Sequence, residues 1–170
     1  EADLICSAKE SALAVRRVAA EIGQRLGNAN PLVLSVMGGA VVFTGQLLPQ
    51  LDFPLDFDYL HVTRYGNVTT GGELEWIVKP RSAVAGRVVL VVDDILDEGV
   101  TMAEVATHLS ALGAQEVLCA VFADKDLGRA KPIVADFIGV HVPNRYVFGY
   151  GMDVKGAWRN LPAVYAVKGL

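Results

Sequence analysis

The residues of this sequence best suited to chemistry form an acidic loop behind a strongly hydrophobic run. Asp93, Asp94 and Asp97 follow the apolar residues 88–92, and residues 99–101 lead into a helical pattern. Glycine lets the backbone turn tightly, so consecutive N–H groups at a helix N-terminus can converge on a phosphate. Because carboxylates repel phosphate, the three aspartates are expected to face ribose hydroxyls, a metal ion or a protonated base nitrogen.

Two other interpretations of this loop fit the sequence less well. An acidic strand end can simply cap the following helix, but Asp97, Gly99 and Thr101 at this spacing favour a binding loop. A dinucleotide-binding fold would need a Gly-x-Gly-x-x-Gly segment after a strand. The sequence has only the pair Gly38 and Gly39 after its first predicted strand, which is too little for that motif.

The elements that must position this loop alternate between strand and helix patterns. Strands are predicted at residues 32–36, 57–63, 74–78, 88–92, 117–123, 137–140, 147–149 and 164–167. Helices are predicted from the capping box of Ser7 and Glu10 to residue 26, at residues 40–51 and at residues 101–112. This alternation predicts an α/β fold, a mostly parallel twisted sheet with helices on both faces, with ligands bound beyond the carboxyl ends of the strands.

Length and composition narrow the class of protein. The 170 residues fit a single domain covering residues 1–170. The net charge of −4 argues against general nucleic-acid binding, which needs a basic surface. Cys6 and Cys119 match no metal spacing and form no disulfide framework, so a reducing cytoplasm is expected. No apolar stretch is continuous enough for a membrane span.

Residues 89–101 closely resemble the phosphoribosyl-pyrophosphate signature of type I phosphoribosyltransferases. The resemblance implies that family's fold, with a small hood and a mobile lid loop. It also implies that Asp93 and Asp94 hold the ribose hydroxyls and that Asp97 is the acid/base. The substrate-binding segment continues through Ile95, Leu96, Glu98, Gly99, Val100 and Thr101, of which the last four grip the 5′-phosphate. Glu98 departs from the usual threonine, and its carboxylate is expected to point outward.

The base-binding residues implied by the resemblance are those of the hypoxanthine-guanine branch, and the similarity covers about residues 30–167. Lys125 matches the lysine that donates a hydrogen bond to a purine 6-oxo group; an ammonium donates but cannot accept, which disfavours adenine. Tyr146 is expected to stack on the purine, and the backbone of Val147 to read its Watson–Crick edge.

The pyrophosphate side follows from the same resemblance. Met37, Gly38 and Gly39 occupy the turn that binds pyrophosphate through backbone N–H groups, with a cis peptide expected between Val36 and Met37. Arg159 matches a pyrophosphate-binding arginine that assists catalysis.

The lid and the metal complete the set of expectations. Tyr65 matches the catalytic tyrosine of the lid, and Arg64 before it, where the family often has serine, would suit a leaving pyrophosphate. The implied cofactor is Mg²⁺, held mainly by substrate oxygens with Asp93, Asp94 and Asp153 nearby.

Together these residues predict a purine-salvage enzyme that transfers the phosphoribosyl group of phosphoribosyl pyrophosphate to N9 of hypoxanthine or guanine. A xanthine-accepting enzyme and a non-catalytic sensor of phosphoribosyl pyrophosphate stay open. The base-side residues favour the enzyme, as does a length expected to leave no room for the DNA-binding segment that such sensors usually carry. The resemblance also implies a homodimer or homotetramer, with no nucleic-acid or membrane partner.

Overall fold

The computed structural model describes residues 1–64 and 73–170. The strands are β1 (Ala2–Cys6), β2 (Leu32–Val36), β3 (Asp56–Arg64), β4 (Leu74–Val78), β5 (Val88–Leu96), β6 (Glu116–Lys125), β7 (Phe137–Val142), β8 (Val147–Phe148) and β9 (Val164–Val167). The helices are α1 (Ala8–Leu26), α2 (Val41–Leu47) and α3 (Val100–Ala111), and a short 3-10 helix (Leu48–Gln50) follows α2.

A six-stranded sheet forms the centre of the fold, in the order β4-β3-β2-β5-β6-β7. Neighbouring strands from β3 to β7 in this order pair in parallel, and only the edge strand β4 is antiparallel. Helices cover both faces, which confirms the predicted α/β class. Leu90 and Val92 pack with α1 and α2, whereas Val89 and Val91 pack on the opposite face with α3. Because β5 is buried on both faces, its sequence shows no polar alternation.

The start of α1 follows the predicted capping box. Ser7 Oγ accepts a hydrogen bond from Glu10 N at 3.2 Å, and Ser7 N donates to Glu10 Oε2 at 2.7 Å. These two bonds satisfy two of the backbone groups that a helix end leaves unpaired. The side chains of Val15, Val18 and Ile22 then bury one face of the helix against the sheet.

A second sheet of three strands, in the order β1-β9-β8, supplies the small hood that was expected. Its strand β1 was not predicted, and it pairs antiparallel with β9. Several predicted elements also differ in length, β5 and α2 most clearly. Strand β5 continues to Leu96 because its backbone keeps pairing with β6 through the acidic residues, and α2 gives way to the 3-10 helix that contains Pro49. No helix in the described ranges is both long and apolar enough to cross a membrane.

Candidate active site

The acidic loop lies at the carboxyl end of β5 and closes onto α3. Gly99 has a φ of 82°, a left-handed conformation that strains any residue with a Cβ, and it forms the N-cap of α3. This conformation turns the chain from the loop directly into the helix, so the N–H groups of the first helical turn lie beside the loop. The loop borders a cavity of about 450 Å³ together with Asp93, Arg64 and Met102.

Asp93 and Asp94 are consecutive residues near the carboxyl end of β5. Burial raises the pKa of Asp93 well above its usual range, and the adjacent charge of Asp94 raises it further. Burial also raises the pKa of Asp94, although hydrogen bonding and the charge of Arg159 oppose that rise. Backbone N–H groups reach both carboxylates: Asp94 N donates to Asp93 Oδ1 at 2.8 Å, and Ile95 N donates to Asp94 Oδ1 at 2.7 Å.

Asp97 and Lys125 meet across the ends of two neighbouring strands. Lys125 Nζ lies 2.7 Å from Asp97 Oδ2, and only 11% of the lysine side chain is exposed. The parallel pairing of Leu96 with Asp124 places the two residues at the same height. The two residues predicted to bind the base and to move its proton are thus adjacent in space, 28 positions apart in the chain.

A second lysine ties the loop to β6. Lys131 Nζ donates to the backbone oxygen of Leu96 at 2.8 Å and to Asp124 Oδ1 at 2.6 Å, and its side chain is 10% exposed. These contacts hold the residue before Asp97 to the residue before Lys125. The sequence analysis missed Lys131. The available signal was a basic residue shortly after Lys125, beyond the carboxyl end of the same strand.

Glu98 is neutralised at the surface. Its carboxylate is solvent-exposed and forms an ion pair with Arg129, which the sequence analysis also missed. This exposure agrees with the expectation that the side chain turns outward. The backbone of Glu98 can still contribute to the loop.

Arg64 reaches the same cavity from the last position of β3. Its Nε donates to Thr101 Oγ1 at 3.0 Å, and Nη2 lies 3.2 Å from Glu104 Oε1. Thr101 and Glu104 are three residues apart, so they share a face of α3. Tyr65, the predicted lid tyrosine, lies outside the described residues.

The turn after β2 carries the cis peptide, but one bond later than expected. The cis bond joins Met37 and Gly38, so the expectation of a cis bond between Val36 and Met37 was wrong. The physical reason is that Met37 N still donates to Leu60 O at 2.8 Å, which keeps the Val36–Met37 peptide in register with β3. The chain leaves the sheet only after Met37.

Two glycines allow this turn to touch its surroundings. A Cβ on Gly39 would collide with the carboxylate of Asp94. A Cβ on Gly151 would collide with the backbone oxygen of Gly39, and Gly151 also has a φ of 98°. Gly39, Asp94 and Gly151 therefore form one tight layer, and Gly151 was not among the predicted site residues.

Arg159 and Asp153 border this layer. Arg159 Nη1 donates to Gly151 O at 2.7 Å, and Nη2 lies 3.1 Å from Asp153 Oδ1. Asp153 Oδ2 also accepts a hydrogen bond from Gly156 N at 2.7 Å. The charge of Arg159 lowers the pKa of Asp94, so the arginine lies within electrostatic reach of the acidic pair.

The predicted base-stacking residues lie at the start of β8. Tyr146 is 44% exposed, its Oη lies 3.3 Å from Asp153 O, and the next residue, Val147, is buried. An exposed ring at this position is available for stacking on a flat ligand.

The described residues include no group of three or more His, Cys, Asp or Glu arranged to hold a metal ion. Asp93, Asp94 and Asp153 are therefore not a preformed metal cage. The carboxylates of Asp93 and Asp94 are nevertheless hard oxygen donors, and a divalent cation beside them would stabilise their charged forms. The donor set fits a Mg²⁺ ion that takes most of its ligands from a substrate and from water.

Comparison with known proteins agrees with this geometry. A family model described as the phosphoribosyl transferase domain matches residues 2–155. The bifunctional protein TilS/HprT of Listeria monocytogenes is 37% identical over 155 residues, a match that covers 91% of this chain and 24% of that protein. The chain thus spans only about a quarter of the length of this relative.

Two further proteins match along nearly their whole length. The hypoxanthine-guanine phosphoribosyltransferase of Bacillus subtilis is 32% identical over 166 residues, which covers 97% of this chain and 92% of that enzyme. A solved structure of a hypoxanthine-guanine-xanthine phosphoribosyltransferase superposes with a TM-score of 0.89 at 32% identity, covering 98% of this chain and 96% of that one. From its signature loop, its fold and these matches, the chain belongs to the phosphoribosyltransferase family.

Proposed function

We propose that this chain transfers the 5-phosphoribosyl group of phosphoribosyl pyrophosphate to N9 of hypoxanthine or guanine, giving IMP or GMP and pyrophosphate. The observation that carries the proposal is the pair of Lys125 Nζ and Asp97 Oδ2, which are 2.7 Å apart, with Asp97 in the lining of the cavity. The pair presents a hydrogen-bond donor beside an acceptor.

A 6-oxopurine with a proton on N7 is complementary to this pair. Its oxygen at C6 accepts a hydrogen bond and the neighbouring N7–H donates one, so Lys125 binds the oxygen while Asp97 takes the proton. Adenine carries an amino group at position 6, which would place a donor against the ammonium. Discrimination of this kind is strong because a mismatched group leaves a partly buried charge unpaired. Tyr146 stacks on the base and the Val147 backbone contacts its edge.

The phosphoribosyl group is held by the rest of the loop. Asp93 and Asp94 accept hydrogen bonds from the ribose hydroxyls, and their pair of like charges is eased by those donors. The backbone N–H groups of Glu98, Gly99 and Val100, with the hydroxyl of Thr101, contact the ribose 5′-phosphate, which the positive end of the α3 dipole favours.

The leaving group lies on the opposite side of the acidic pair. Backbone N–H groups of Gly38 and Gly39 and the guanidinium of Arg159 bind the pyrophosphate, with Asp153 orienting the arginine at 3.1 Å. The Met37 N–H already donates to Leu60 O and takes no part. Mg²⁺, beside Asp93, Asp94 and Asp153, would supply neutralisation of pyrophosphate charge.

In the reaction, the bond between C1′ and the pyrophosphate oxygen breaks, and its electron pair leaves on pyrophosphate. The lone pair of N9 forms the new bond to C1′, and the proton on N7 passes to Asp97. By the resemblance to the family, Tyr65 would help to exclude water, which would otherwise attack C1′.

An ultraviolet assay tests this function directly. The protein is incubated with Mg²⁺, phosphoribosyl pyrophosphate and hypoxanthine, guanine, xanthine, adenine or uracil in parallel reactions. We expect nucleotide from hypoxanthine and guanine, and none from adenine or uracil. In a Lys125→Met variant, the KM for both 6-oxopurines should rise by about 10- to 100-fold, because one charged hydrogen bond is lost.

Product from adenine alone would contradict the role of Lys125. No product from any base, with phosphoribosyl pyrophosphate still bound, would favour a sensor. Xanthine is a second candidate base because the relative with the 0.89 TM-score is named for xanthine as well. Xanthine differs from hypoxanthine only at position 2 of the ring, away from the 6-oxo group that Lys125 would bind.

We further propose a cytoplasmic homodimer or homotetramer. The resemblance to the family supports this assembly, and the two buried cysteines are compatible with a reducing compartment. Light scattering on the eluted protein measures its mass; a monomeric mass at assay concentration would contradict the proposed assembly.

A further inference from the structure

We propose that Arg64 binds the 5′-phosphate of the phosphoribosyl substrate and of the nucleotide product, and not the leaving pyrophosphate. This inference rests on the proposed function and assigns one residue to one end of the substrate. It replaces the pyrophosphate role that the sequence position of Arg64 suggested.

The side chain of Arg64 is directed at the phosphate loop, residues 98–101, which is proposed to bind the 5′-phosphate. Its Nε donates to Thr101 Oγ1 at 3.0 Å, in the first turn of α3, and three quarters of the side chain is buried. Arg64 also lines the same cavity as Gly99 and Val100, whose backbone turns into the helix. A phosphate bound by the N–H groups of this turn therefore lies beside the guanidinium.

The charge around the cavity explains why a cation is needed there. Its lining includes the acidic residues Asp93, Asp97 and Glu98, and among the lining residues that the structure describes, Arg64 is the only basic one. Asp97 and Glu98 have their own cations, Lys125 and Arg129. The partial positive charge of a helix N-terminus, about half an elementary charge, does not balance a phosphate dianion. Arg64 supplies the missing positive charge.

Glu104 holds the guanidinium ready for this role. Its Oε1 lies 3.2 Å from Arg64 Nη2, and Glu104 is itself substantially exposed. An exposed carboxylate is a weak competitor, whereas a phosphate on the helix N-terminus has more charge and more acceptor oxygens. The planar guanidinium has five N–H donors, so it can keep its bond to Thr101 and donate to the phosphate as well.

The second anionic end of the substrate has its own arginine. Arg159 contacts Gly151 and Asp153, and its charge lowers the pKa of Asp94. Gly151 and Asp94 belong to the tight layer that also contains Gly39. Neither of the two residues that Arg159 contacts belongs to the loop at Thr101. The two arginines thus divide the two phosphate-bearing ends between them.

Calorimetric titration of the full chain separates these roles. The ligands are GMP, guanosine and inorganic pyrophosphate, and the variants are Arg64→Gln, Arg64→Lys and the matched control Arg159→Gln. Arg64→Gln should weaken GMP binding by about 10- to 100-fold, because a charged hydrogen bond is lost, while guanosine and pyrophosphate bind as in the wild type. Arg64→Lys keeps the charge without the fork and should lie between the two.

Arg159→Gln should show the reverse pattern, with pyrophosphate weakened more than GMP. Loss of pyrophosphate binding in Arg64→Gln with GMP unchanged would overturn the assignment, as would wild-type GMP binding in both Arg64 variants. Circular dichroism of each variant checks folding, and Arg64→Lys provides the test if Arg64→Gln does not fold. A wild-type protein that binds neither GMP nor phosphoribosyl pyrophosphate would instead contradict the proposed function itself.

Discussion

The two acidic groups at the end of β5 differ in how the protein meets their charge. Asp97 has a partly buried cation, Lys125, at 2.7 Å, so its charge is balanced within the chain. Asp93 and Asp94 lie against each other, and no Lys or Arg of residues 1–64 and 73–170 forms an ion pair with either. The charge of the first group is balanced by the protein itself, whereas the two charges of the second group lie together without a paired cation among these residues.

This difference matches the chemistry of the two proposed substrates. A purine base is neutral and needs a donor beside an acceptor, which the Asp97–Lys125 pair presents. A phosphoribosyl pyrophosphate with Mg²⁺ brings hydroxyl donors and positive charge to a site that holds two adjacent carboxylates. The cost of keeping those carboxylates together falls on the stability of the free protein, a common exchange between stability and function.

Removing the acid/base should have the largest effect. We expect Asp97→Asn to lower kcat by about 10²- to 10⁴-fold, because an amide cannot accept the N7 proton. The Kd for phosphoribosyl pyrophosphate should change far less. Asp126→Asn is the control, because Asp126 lies next to Lys125 in the sequence but has a different partner. Its Oδ1 accepts a hydrogen bond from Gly128 N at 2.9 Å. Unchanged turnover in Asp97→Asn would remove Asp97 from the acid/base role.

Breaking the support behind Asp97 should have the next largest effect. Lys131→Met leaves the partly buried Asp124 without its 2.6 Å partner and releases the Leu96 carbonyl. We expect the free energy of unfolding to fall by about 1–3 kcal/mol, measured by urea denaturation. Lys168→Met is the control, because Lys168 forms only exposed ion pairs. Equal stability of the two variants would show that the Lys131 contacts are not what holds the loop.

A substitution at Asp93 is expected to stabilise the protein, whereas the substitution at Lys131 destabilises it. Asp93→Asn should raise the free energy of unfolding by about 1 kcal/mol at neutral pH while lowering affinity for phosphoribosyl pyrophosphate. Because the pKa of Asp93 is raised in the folded state, the folded protein binds a proton more tightly than the unfolded chain. Wild-type stability is therefore lost as pH rises from about 3.8 through the raised value, and the advantage of Asp93→Asn appears across that window.

Asp58 provides a control of opposite sign. Although partial burial raises it, the pKa of Asp58 is lowered overall by hydrogen bonds from the backbone N–H groups of Ser82, Tyr59 and Arg81. Asp58→Asn should therefore be destabilising at neutral pH, and its penalty should disappear as pH falls below 3.8. Parallel pH profiles for Asp58→Asn and Asp93→Asn would contradict the assigned difference between the two carboxylates.

The parts of the site that could be predicted from the sequence are those encoded locally. The loop from Asp93 to Thr101 is contiguous, and its chemistry depends on residue types at fixed spacing. Strands β2, β4 and β9 were predicted with their observed bounds for the same reason, since each is a short, mostly apolar run with clear ends. Lys125 and Tyr146 were found through the resemblance, not through their own local pattern.

The parts that could not be predicted depend on contacts between distant segments. Strand β1 is short and half exposed, and it exists because it pairs with β9 at the other end of the chain. Lys131 contacts a backbone carbonyl, which no side-chain pattern encodes. The cis bond was misplaced by one residue because its position depends on the hydrogen bond from Met37 N to β3. Arg64 was predicted as a substrate ligand, but its direction towards Thr101 required the structure.

The smallest effect is expected at Glu98, the residue that follows Asp97 in the loop. Glu98→Thr removes an exposed carboxylate already paired with Arg129, and exposed ion pairs contribute less than about 1 kcal/mol, so stability should hardly change. Phosphoribosyl pyrophosphate should bind at least as tightly, because one negative charge near the 5′-phosphate is removed and a hydroxyl is added. Arg129→Ala is the complementary change: it leaves Glu98 unpaired and should weaken binding slightly. Binding is measured by calorimetry. Weaker binding in Glu98→Thr would mean that the Glu98–Arg129 pair shapes the loop, so that Glu98 would be a third acidic group beside Asp97 and the Asp93–Asp94 pair.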